Sequence, residues 1–238
     1  METIKGKKIL LIGATGGIGQ RTAKLLHQSG AQLFLTGRNA AALKELADSL
    51  GLPAEHMMAA DLSNSEQITV LQQQYTAVFS ELDVLINASG IGIIRPMEQL
   101  TETDFMQSLQ TNLVAPFLIL RAFLPMMKAQ GKGLIIHIPG VLGKVPMAGA
   151  AAYSASKYGL NGMMQSIREE LKRTNIRITN LFMGGVDSPF WDKIDLRVQR
   201  EKMITSEEAA KAIWFLCQQP ESGVINEMVL QPFNHQAI

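Results

Sequence analysis

The sequence predicts one α/β domain over residues 1–238, built on a doubly wound parallel sheet with helices on both faces. Short apolar runs alternate along the chain with longer amphipathic segments, which is the pattern of repeated strand–helix–strand units. Several runs are apolar at nearly every position, as expected of strands covered on both faces. No linker, repeat or low-complexity segment interrupts the alternation, so the 238 residues are assigned to a single domain.

Seven strands are predicted from the apolar runs, and helices from the segments between them. The strands are expected at 7–12, 32–36, 57–60, 83–87, 133–138, 177–182 and 227–230. After the second strand, apolar residues recur at helical intervals, at Leu43, Leu46, Ala47 and Leu50. Right-handed crossovers between parallel strands then place ligand sites at the carboxyl ends of the strands.

Two helix starts are marked by a threonine followed three residues later by an acid. The pairs are Thr101 with Asp104 and Thr205 with Glu208. In such a pair, each side chain accepts a hydrogen bond from the backbone N–H group of the other residue, which caps the first helical turn. Helices are therefore predicted to begin at these two places.

The composition favours a well-packed domain without a strongly charged surface. Apolar residues make up 47% of the chain and charged residues 18%, and a net charge of +1 gives no electrostatic reason to expect a nucleic acid or a membrane as partner. Cys217 is the single cysteine, which excludes a disulfide framework and is typical of a reducing compartment. No metal site is predicted. The N-terminus lacks a signal-peptide core and no apolar run has membrane-spanning length, so a cytoplasmic location is expected.

A glycine-rich segment, GATGGIG at 13–19, follows the strand that ends at Ile12. Gly13, Gly17 and Gly19 would form a tight turn into a helix, where the chain can approach a pyrophosphate without side-chain obstruction. The free N–H groups and positive dipole end of a helix start favour an anion. Glycine clusters are also common in ordinary turns. Because this cluster joins a strand to a helix, it predicts a Rossmann-type dinucleotide site.

Tyr153 and Lys157 lie four residues apart in the sequence YSASK. On a helix these positions share a face, so the ammonium group of Lys157 is expected beside the phenol of Tyr153. A nearby positive charge favours the phenolate, and would therefore lower the pKa of Tyr153 toward the neutral range. Such a pair is often a pair of surface residues. Together with the glycine segment, it predicts a redox enzyme in which Tyr153 acts as an acid or base.

At these residues the chain resembles the short-chain dehydrogenase/reductase family, and the resemblance extends over nearly its whole length. Asp61 matches the acid that contacts the adenine ring, and INASG at 86–90 resembles the family's NNAG. Asn112 matches the catalytic asparagine that keeps a water in the proton relay. MGGVDSPF at 183–190 resembles PGxVxT. The catalytic residues implied by the resemblance are Tyr153, Lys157 and Asn112.

The resemblance also implies which residues contact a bound dinucleotide. These are Gly13, Thr15, Gly17, Ile18, Gly19, Arg38, Asp61, Leu62, Asn87, Ala88, Gly90, Tyr153, Lys157, Gly184, Val186 and Ser188. In NAD sites, an acid about 20 residues after the glycine loop binds the ribose 2′-hydroxyl. Gly37 occupies that place here and Arg38 follows it, which favours NADP(H) because a guanidinium pairs with the 2′-phosphate. The alternative is that Arg38 is a solvated loop residue.

The chain departs from the family at Gly140. The family has a serine thirteen residues before the catalytic tyrosine, and here the local sequence is IIHIPGVLG, with Pro139 and Gly140 at the two serine positions. The missing hydroxyl would donate a hydrogen bond to the substrate oxygen. A substrate hydroxyl, a bound water or His137 remain as possible replacements. Changing Gly140 to serine is expected to return the donor and raise turnover.

The substrate side of the site is expected to be apolar. Residues in the loops that form the substrate mouth in the family are Met97, Met147, Met183, Phe190 and Trp191, and Gly140 and Val141 adjoin them. Methionine is also a common core filler. His137, two residues before Pro139, is expected to be either a core histidine or a residue that reaches the site.

The preferred hypothesis is an NADPH-dependent oxidoreductase that reduces the carbonyl group of a small apolar substrate or oxidises the corresponding alcohol. The alternative is an NADP(H)-binding regulatory or scaffold protein whose catalysis is impaired. Family members pair through long helices, here at about 102–130 and 152–173, so a homodimer or homotetramer is expected. Apolar residues at near-helical spacing support this in the second helix, at Leu160, Met163, Met164 and Ile167.

Overall fold

A parallel sheet of seven strands runs through the protein, for which a computed structural model describes residues 1–233 with the exception of the Lys193 side chain. In chain order the strands of the whole structure are β1 (Lys8–Ile12), β2 (Gln32–Gly37), β3 (Met57–Ala59), β4 (Val84–Asn87), β5 (Lys132–His137), β6 (Asn175–Met183), β7 (Val186–Asp187), β8 (Ile204–Thr205) and β9 (Glu227–Leu230). The large sheet has the order β3-β2-β1-β4-β5-β6-β9, and β7 pairs with β8 separately. The predicted fold class and its seven strands are thereby confirmed.

Among the described residues there are seven α-helices, six of which pack on the two faces of this sheet. They are α1 (Gly17–Gln28), α2 (Ala40–Ser49), α3 (Ser65–Val78), α4 (Glu102–Leu109), α5 (Ala115–Gln130), α6 (Ala151–Leu171) and α7 (Ser206–Leu216). Side chains of α1, α2 and α7 pack in one apolar core, and side chains of α3, α5 and α6 pack in the other. Both helix-start predictions are confirmed, because Thr101 with Asp104 and Thr205 with Glu208 form reciprocal caps.

Helices α4 and α5 are joined by a π-helical turn, Gln110–Val114, into one continuous helix. Within the described chain this helix, Glu102–Gln130, is long and apolar enough to cross a membrane by length and composition. A long helix was expected at about 102–130, and it is this helix, rather than an uninterrupted apolar run, that reaches membrane-spanning length. Ile119, Phe123 and Met127 are fully buried in the core that covers the sheet.

The apolar face predicted on α6 is largely used by the core of the same chain. Leu160 and Met164 are buried, and Met163 and Ile167 pack partly buried against the same cluster. Helical spacing identified the face correctly but did not reveal what covers it. These four side chains therefore provide little surface for a second copy of the protein.

Candidate active site

Two adjoining cavities of about 310 and 640 Å³ lie at the carboxyl ends of the strands. They share walls at Thr15, Arg38 and Ala88, so they form one cleft with two ends. The glycine segment, the end of β2 and Asp61 surround the first end, which we call the nucleotide end. Tyr153, Gly140 and the segment after β6 surround the second, which we call the substrate end.

The glycine segment takes its shape from three positions where no side chain fits. Gly13 has φ +77°, and a Cβ atom there would lie 2.8 Å from the backbone nitrogen of Ser89. A Cβ atom on Gly19 would lie 2.1 Å from the Gly13 carbonyl oxygen, and one on Gly17 would lie 2.9 Å from the Cβ atom of Ser188. The first residues of α1 therefore face the cleft as bare backbone, with N–H groups available to an anion.

Arg38 and Asp61 lie together at the nucleotide end. Arg38 is exposed and lines both cavities. The Asp61 carboxylate accepts hydrogen bonds from the Ser63 hydroxyl at 2.7 Å and the Ser63 backbone N–H at 3.0 Å, and with the nearby charge of Arg38 these bonds lower the pKa of Asp61. Leu62 and Asn39 line the same end. This end thus carries a fixed carboxylate and an arginine free to meet a phosphate.

Tyr153 and Lys157 lie on one face of α6, with the Lys157 Nζ atom 5.5 Å from the centroid of the tyrosine ring. Lys157 is almost fully buried and donates a hydrogen bond to the Ile138 carbonyl oxygen at 3.3 Å. Burial raises the pKa of Tyr153 and lowers the pKa of Lys157 to about 8. The Lys157 ammonium was expected to lower the pKa of Tyr153, but the loss of water around the phenol has the larger effect.

Asn112 lies in the π-helical turn and fixes the loop after β4. Its Oδ1 atom accepts the Ile91 N–H at 2.9 Å, while its Nδ2 donates to the Ile91 carbonyl at 2.9 Å and to the Ser156 hydroxyl at 3.0 Å. Both side-chain N–H donors are thus taken by protein atoms. The amide of Asn112 therefore positions the backbone at Ile91.

Gly140 has φ +74° and ψ 163°, a combination that is essentially restricted to glycine. A Cβ atom built there would lie 3.5 Å from the Tyr153 hydroxyl, so this position faces the phenol. The backbone conformation, however, disfavours a serine. Restoring the hydroxyl thus requires a change of backbone, which the sequence could not indicate.

His137 belongs to the core beneath the cleft. It is fully buried, and its Nδ1 atom lies 3.5 Å from the Asn87 amide nitrogen. The Asn87 Oδ1 atom accepts from Ser89, so Asn87 offers its N–H to the imidazole. Burial, aided by the charge of Lys157, lowers the pKa of His137 to about 3. The imidazole is thus neutral, and of the two expectations the structure favours the core histidine.

Apolar side chains form the substrate end. Val141, Met147, Met183, Phe190 and Trp191 line it. Met183 is the last residue of β6 rather than a loop residue, and Met97 is 73% exposed and does not line the described cleft. Met97 thus lies outside the cleft lining, because loop position alone does not show which way a side chain faces.

Several cleft residues could not be identified from the sequence. Gly92, Ile94 and Leu142 extend the apolar wall.

Arg200 lies outside the cleft lining but fixes the segment that follows β6. It donates hydrogen bonds to the Asp187 carboxylate at 2.6 Å, to the Asp192 carboxylate at 2.7 Å and to the Ser188 carbonyl at 2.8 Å. In the sequence it was one of many scattered cations, and no periodicity marks it.

The predicted site residues thus fall into two groups. Lining the cleft are Gly13, Thr15, Gly17, Ile18, Gly19, Arg38, Asp61, Leu62, Ala88, Gly90, Gly140, Val141, Met147, Tyr153, Met183, Gly184, Val186, Ser188, Phe190 and Trp191. Asn87, Asn112 and Lys157 are buried directly behind it. A Cβ atom on Gly90 would lie 3.2 Å from both Asn112 Oδ1 and Lys157 Nζ, so the second group stands just behind the cleft wall.

Half-buried Tyr153 and buried Lys157 lie beside a glycine-lined cleft in a Rossmann-type fold, which is the arrangement expected of an oxidoreductase. The chain belongs to the short-chain dehydrogenase family, whose sequence model matches residues 7–199. An uncharacterised oxidoreductase of Staphylococcus epidermidis is 29% identical over 232 residues, which cover 98% of this chain and 100% of that protein. Nodulation protein G of Rhizobium sp. (strain N33) is 30% identical over 237 residues, covering 96% of each.

A solved structure agrees with the fold along the whole length. It is the crystal structure of a metagenomic short-chain oxidoreductase in complex with NADP, with a TM-score of 0.84 and 30% identity. The match covers 98% of this chain and 100% of that one. The relatives therefore span the same domain as this protein.

Proposed function

We propose that the protein is an NADP(H)-dependent oxidoreductase that reduces the carbonyl group of a small apolar aldehyde or ketone, or oxidises the corresponding alcohol. The observation that carries the proposal is the position of Tyr153. Its hydroxyl stands at the substrate end, next to the gap at Gly140 and in front of buried Lys157. A proton donor is thus held between an apolar cleft and a site suited to a dinucleotide.

The cleft has features that fit NADP(H). The bare backbone of α1 suits a pyrophosphate, and Arg38 suits a 2′-phosphate. The metagenomic oxidoreductase, at 30% identity, and a serine dehydrogenase, at 26% identity, were solved with NADP and NADP+ respectively. When bound, the cofactor supplies the hydride that reaches the carbonyl carbon. The protein must then supply the proton that is added to the carbonyl oxygen.

Tyr153 is suited to donate that proton. Burial favours the neutral phenol, so Tyr153 is already protonated when the substrate binds. Lys157 lies behind it with a pKa of about 8, close enough to neutrality to exchange protons and restore the phenol. Asn112 holds the backbone at Ile91 that closes this part of the cleft. Tyr153 therefore donates the proton, Lys157 resupplies it, and Asn112 positions the cleft wall.

The substrate class follows from the charges of the cleft lining. Among the described lining residues of the larger cavity, Arg38 is the one residue with a charged side chain at neutral pH, and it lies toward the nucleotide end. A substrate carboxylate at the substrate end would lose its water without gaining a cation, which is unfavourable. An uncharged, largely apolar carbonyl compound fits best.

We also propose a cytoplasmic homodimer or homotetramer. Apolar side chains on α4 and α5 remain exposed, with Phe105 at 36%, Met106 at 54% and Phe117 at 44%. Burying such a patch against a second copy is favourable. Light scattering of the natural chain at micromolar concentration tests this, and Phe117→Glu is expected to shift the protein toward monomer.

The enzymatic proposal is tested by following NADPH oxidation with a panel of aldehydes, ketones and quinones. The natural chain is expected to turn over at least one class, and Tyr153→Phe to abolish turnover while retaining NADPH binding, measured by cofactor fluorescence. Absence of turnover on every compound, with NADPH bound, would instead support the regulatory or scaffold alternative.

A further inference from the structure

The ring of Phe190 crosses the substrate end from one wall to the other. It belongs to the short 3-10 helix Pro189–Lys193, yet a Cβ atom built on Gly92, in the loop after β4, would lie only 2.3 Å from its Cζ atom. The ring centroid of Phe190 is 6.0 Å from that of Tyr153, with the planes inclined by 56°. A side chain from one wall thus reaches the backbone of the opposite wall beside the catalytic phenol.

Phe190 is held in this position from behind. Its ring packs edge-on against Trp191, with centroids 5.3 Å apart, and the Trp191 indole donates to the Val186 carbonyl at 3.0 Å. Trp191 is 8% exposed. The three hydrogen bonds of Arg200 anchor the carboxylates and the carbonyl on either side of this pair of aromatic residues. These contacts are therefore expected to hold the ring of Phe190 in one orientation.

We infer that Phe190 sets the clearance beside Tyr153, so that the protein takes carbonyl compounds that are flat around the reacting carbon and excludes branched ones. The inference about substrates rests on the proposed function, whereas the inferred shielding of the Tyr153 phenol by the ring of Phe190 does not. A conjugated ring can pack against an aromatic side chain edge-on or offset. A quaternary carbon next to the carbonyl needs the space that the ring of Phe190 occupies.

Gly92 is the counterpart that makes this arrangement fit. It does not belong to the glycines with positive φ, so its backbone would accept other residues. What it provides is space, since a Cβ atom there would crowd Phe190 and lie 2.8 Å from Ile194 Cδ1. Gly92→Ala should therefore push the ring of Phe190 away from its place, while removing no atom from the cleft.

The experiment compares two probes in four proteins. Benzaldehyde is the flat probe and 2,2-dimethylpropanal the branched one, and the proteins are the natural chain, Phe190→Ala, Gly92→Ala and the double variant. Phe190→Ala should raise the ratio of kcat/KM for the branched over the flat probe by about 10-fold or more, the range known for one group in an apolar pocket. Gly92→Ala should lower kcat/KM in the natural background and have much less effect when Phe190 is absent.

A second measurement does not depend on turnover. Phe190→Ala should admit water to Tyr153 and lower the pH at which its phenol ionises, followed by ultraviolet difference absorbance after a rapid pH jump. The chain has three tyrosines, so Tyr153→Phe identifies the transition. Gly162→Ala, on α6 in open space, is the matched control and should change neither measurement.

The outcomes distinguish the role inferred for Phe190 from the proposed reduction of a carbonyl group. An unchanged phenol titration in folded, NADPH-binding Phe190→Ala would overturn the inference, as would an unchanged probe ratio when both probes react. A shifted titration, combined with no turnover of any carbonyl by any protein, would support the cover formed by Phe190 and overturn the proposed carbonyl reduction.

Discussion

Thr15 packs directly against the backbone of Gly37. A Cβ atom built on Gly37 would lie 2.9 Å from the Thr15 Oγ1 atom and 3.3 Å from its Cγ2 atom. Position 37 is where NAD sites carry the acid that binds the ribose 2′-hydroxyl. The side chain of Thr15 would therefore crowd an acid at position 37, independently of the positive charge that Arg38 brings to the same end of the cleft.

The first prediction concerns Arg38. Arg38→Ala should remove most of a preference for NADPH over NADH, because a charge-assisted hydrogen bond contributes about 1.5 to 3 kcal/mol. Fluorescence titration with both cofactors measures the preference. Arg21→Ala removes an exposed arginine that pairs with Glu207 and is the control. Equal affinities for the two cofactors in the natural chain would contradict the assignment of Arg38.

The second prediction follows from the contact between Thr15 and Gly37. Gly37→Asp alone should destabilise the protein and fail to create good NADH binding, because the new side chain collides with Thr15. Adding Thr15→Ala leaves only the Cβ atom, which lies at an ordinary 3.6 Å. The double variant should thus gain NADH affinity over the single one. If Gly37→Asp alone binds NADH well, the steric argument is wrong.

The third prediction uses the lowered pKa of Lys157. Between about 8 and the ordinary 10.5, the unfolded chain holds a proton that the folded protein has released. Stability should therefore rise with pH through this window, by about 2 kcal/mol between roughly pH 8 and 9.5. Urea unfolding of the natural chain and of Lys157→Met measures the difference. Parallel pH dependences of the two proteins would show that Lys157 is not buried as described.

The fourth prediction concerns the neutral imidazole of His137. Its pKa falls from 6.5 to about 3 in the folded protein, so the unfolded chain binds the additional proton as the pH drops below 6.5. Stability is then lost toward acid, by about 2 to 3 kcal/mol between roughly pH 6.5 and 4.5. His137→Asn keeps a hydrogen-bonding side chain that does not titrate, so the free energy of unfolding of this variant should depend less on pH between about 6.5 and 4.5. A natural-chain curve as flat as that of the variant would exclude a buried neutral histidine.

The fifth prediction revises the expectation for Gly140. Because its φ of +74° disfavours a side chain, Gly140→Ser should lower the free energy of unfolding by about 1 to 3 kcal/mol and fail to raise turnover. Gly162→Ser on α6 provides the comparison for adding the same side chain in open space. A stable and more active Gly140→Ser protein would mean that the backbone adjusts at little cost.

The sheet was predictable because its strands are long apolar runs with clear ends, and the structure confirms all seven. The small pair of β7 and β8 was not predicted, since a two-residue strand leaves no periodic pattern. The π-helical turn at Gln110–Val114 was hidden as well, because the flanking segments are helical on either side. Local sequence patterns thus predict the main strands and helices but not the two-residue strands or the π-helical turn.

The proximity of Tyr153 and Lys157 was predictable, because a spacing of four residues places two side chains on one face of a helix. Solvent exposure was not predictable, and it determines the proton affinities of both groups. The role of Arg200 depends on Asp187 and Asp192, which meet it only after the segment between them folds back. The sign of φ at Gly140 likewise follows from tertiary packing rather than from the sequence PGV.

Because the strands are parallel, the cleft lies at their carboxyl ends, and the edge formed by their amino ends can be modified without approaching the cleft. Site side chains converge where the strands end, whereas the turns leading into β3 and β5 lie at the opposite edge. Gly51 and Gly131 are in these turns, but their positive φ values disfavour a side chain, so the exposed neighbours Glu55 and Lys132 are the better attachment points. A fluorophore or surface tether attached at these turns should report on or immobilise the protein while leaving cofactor entry unobstructed.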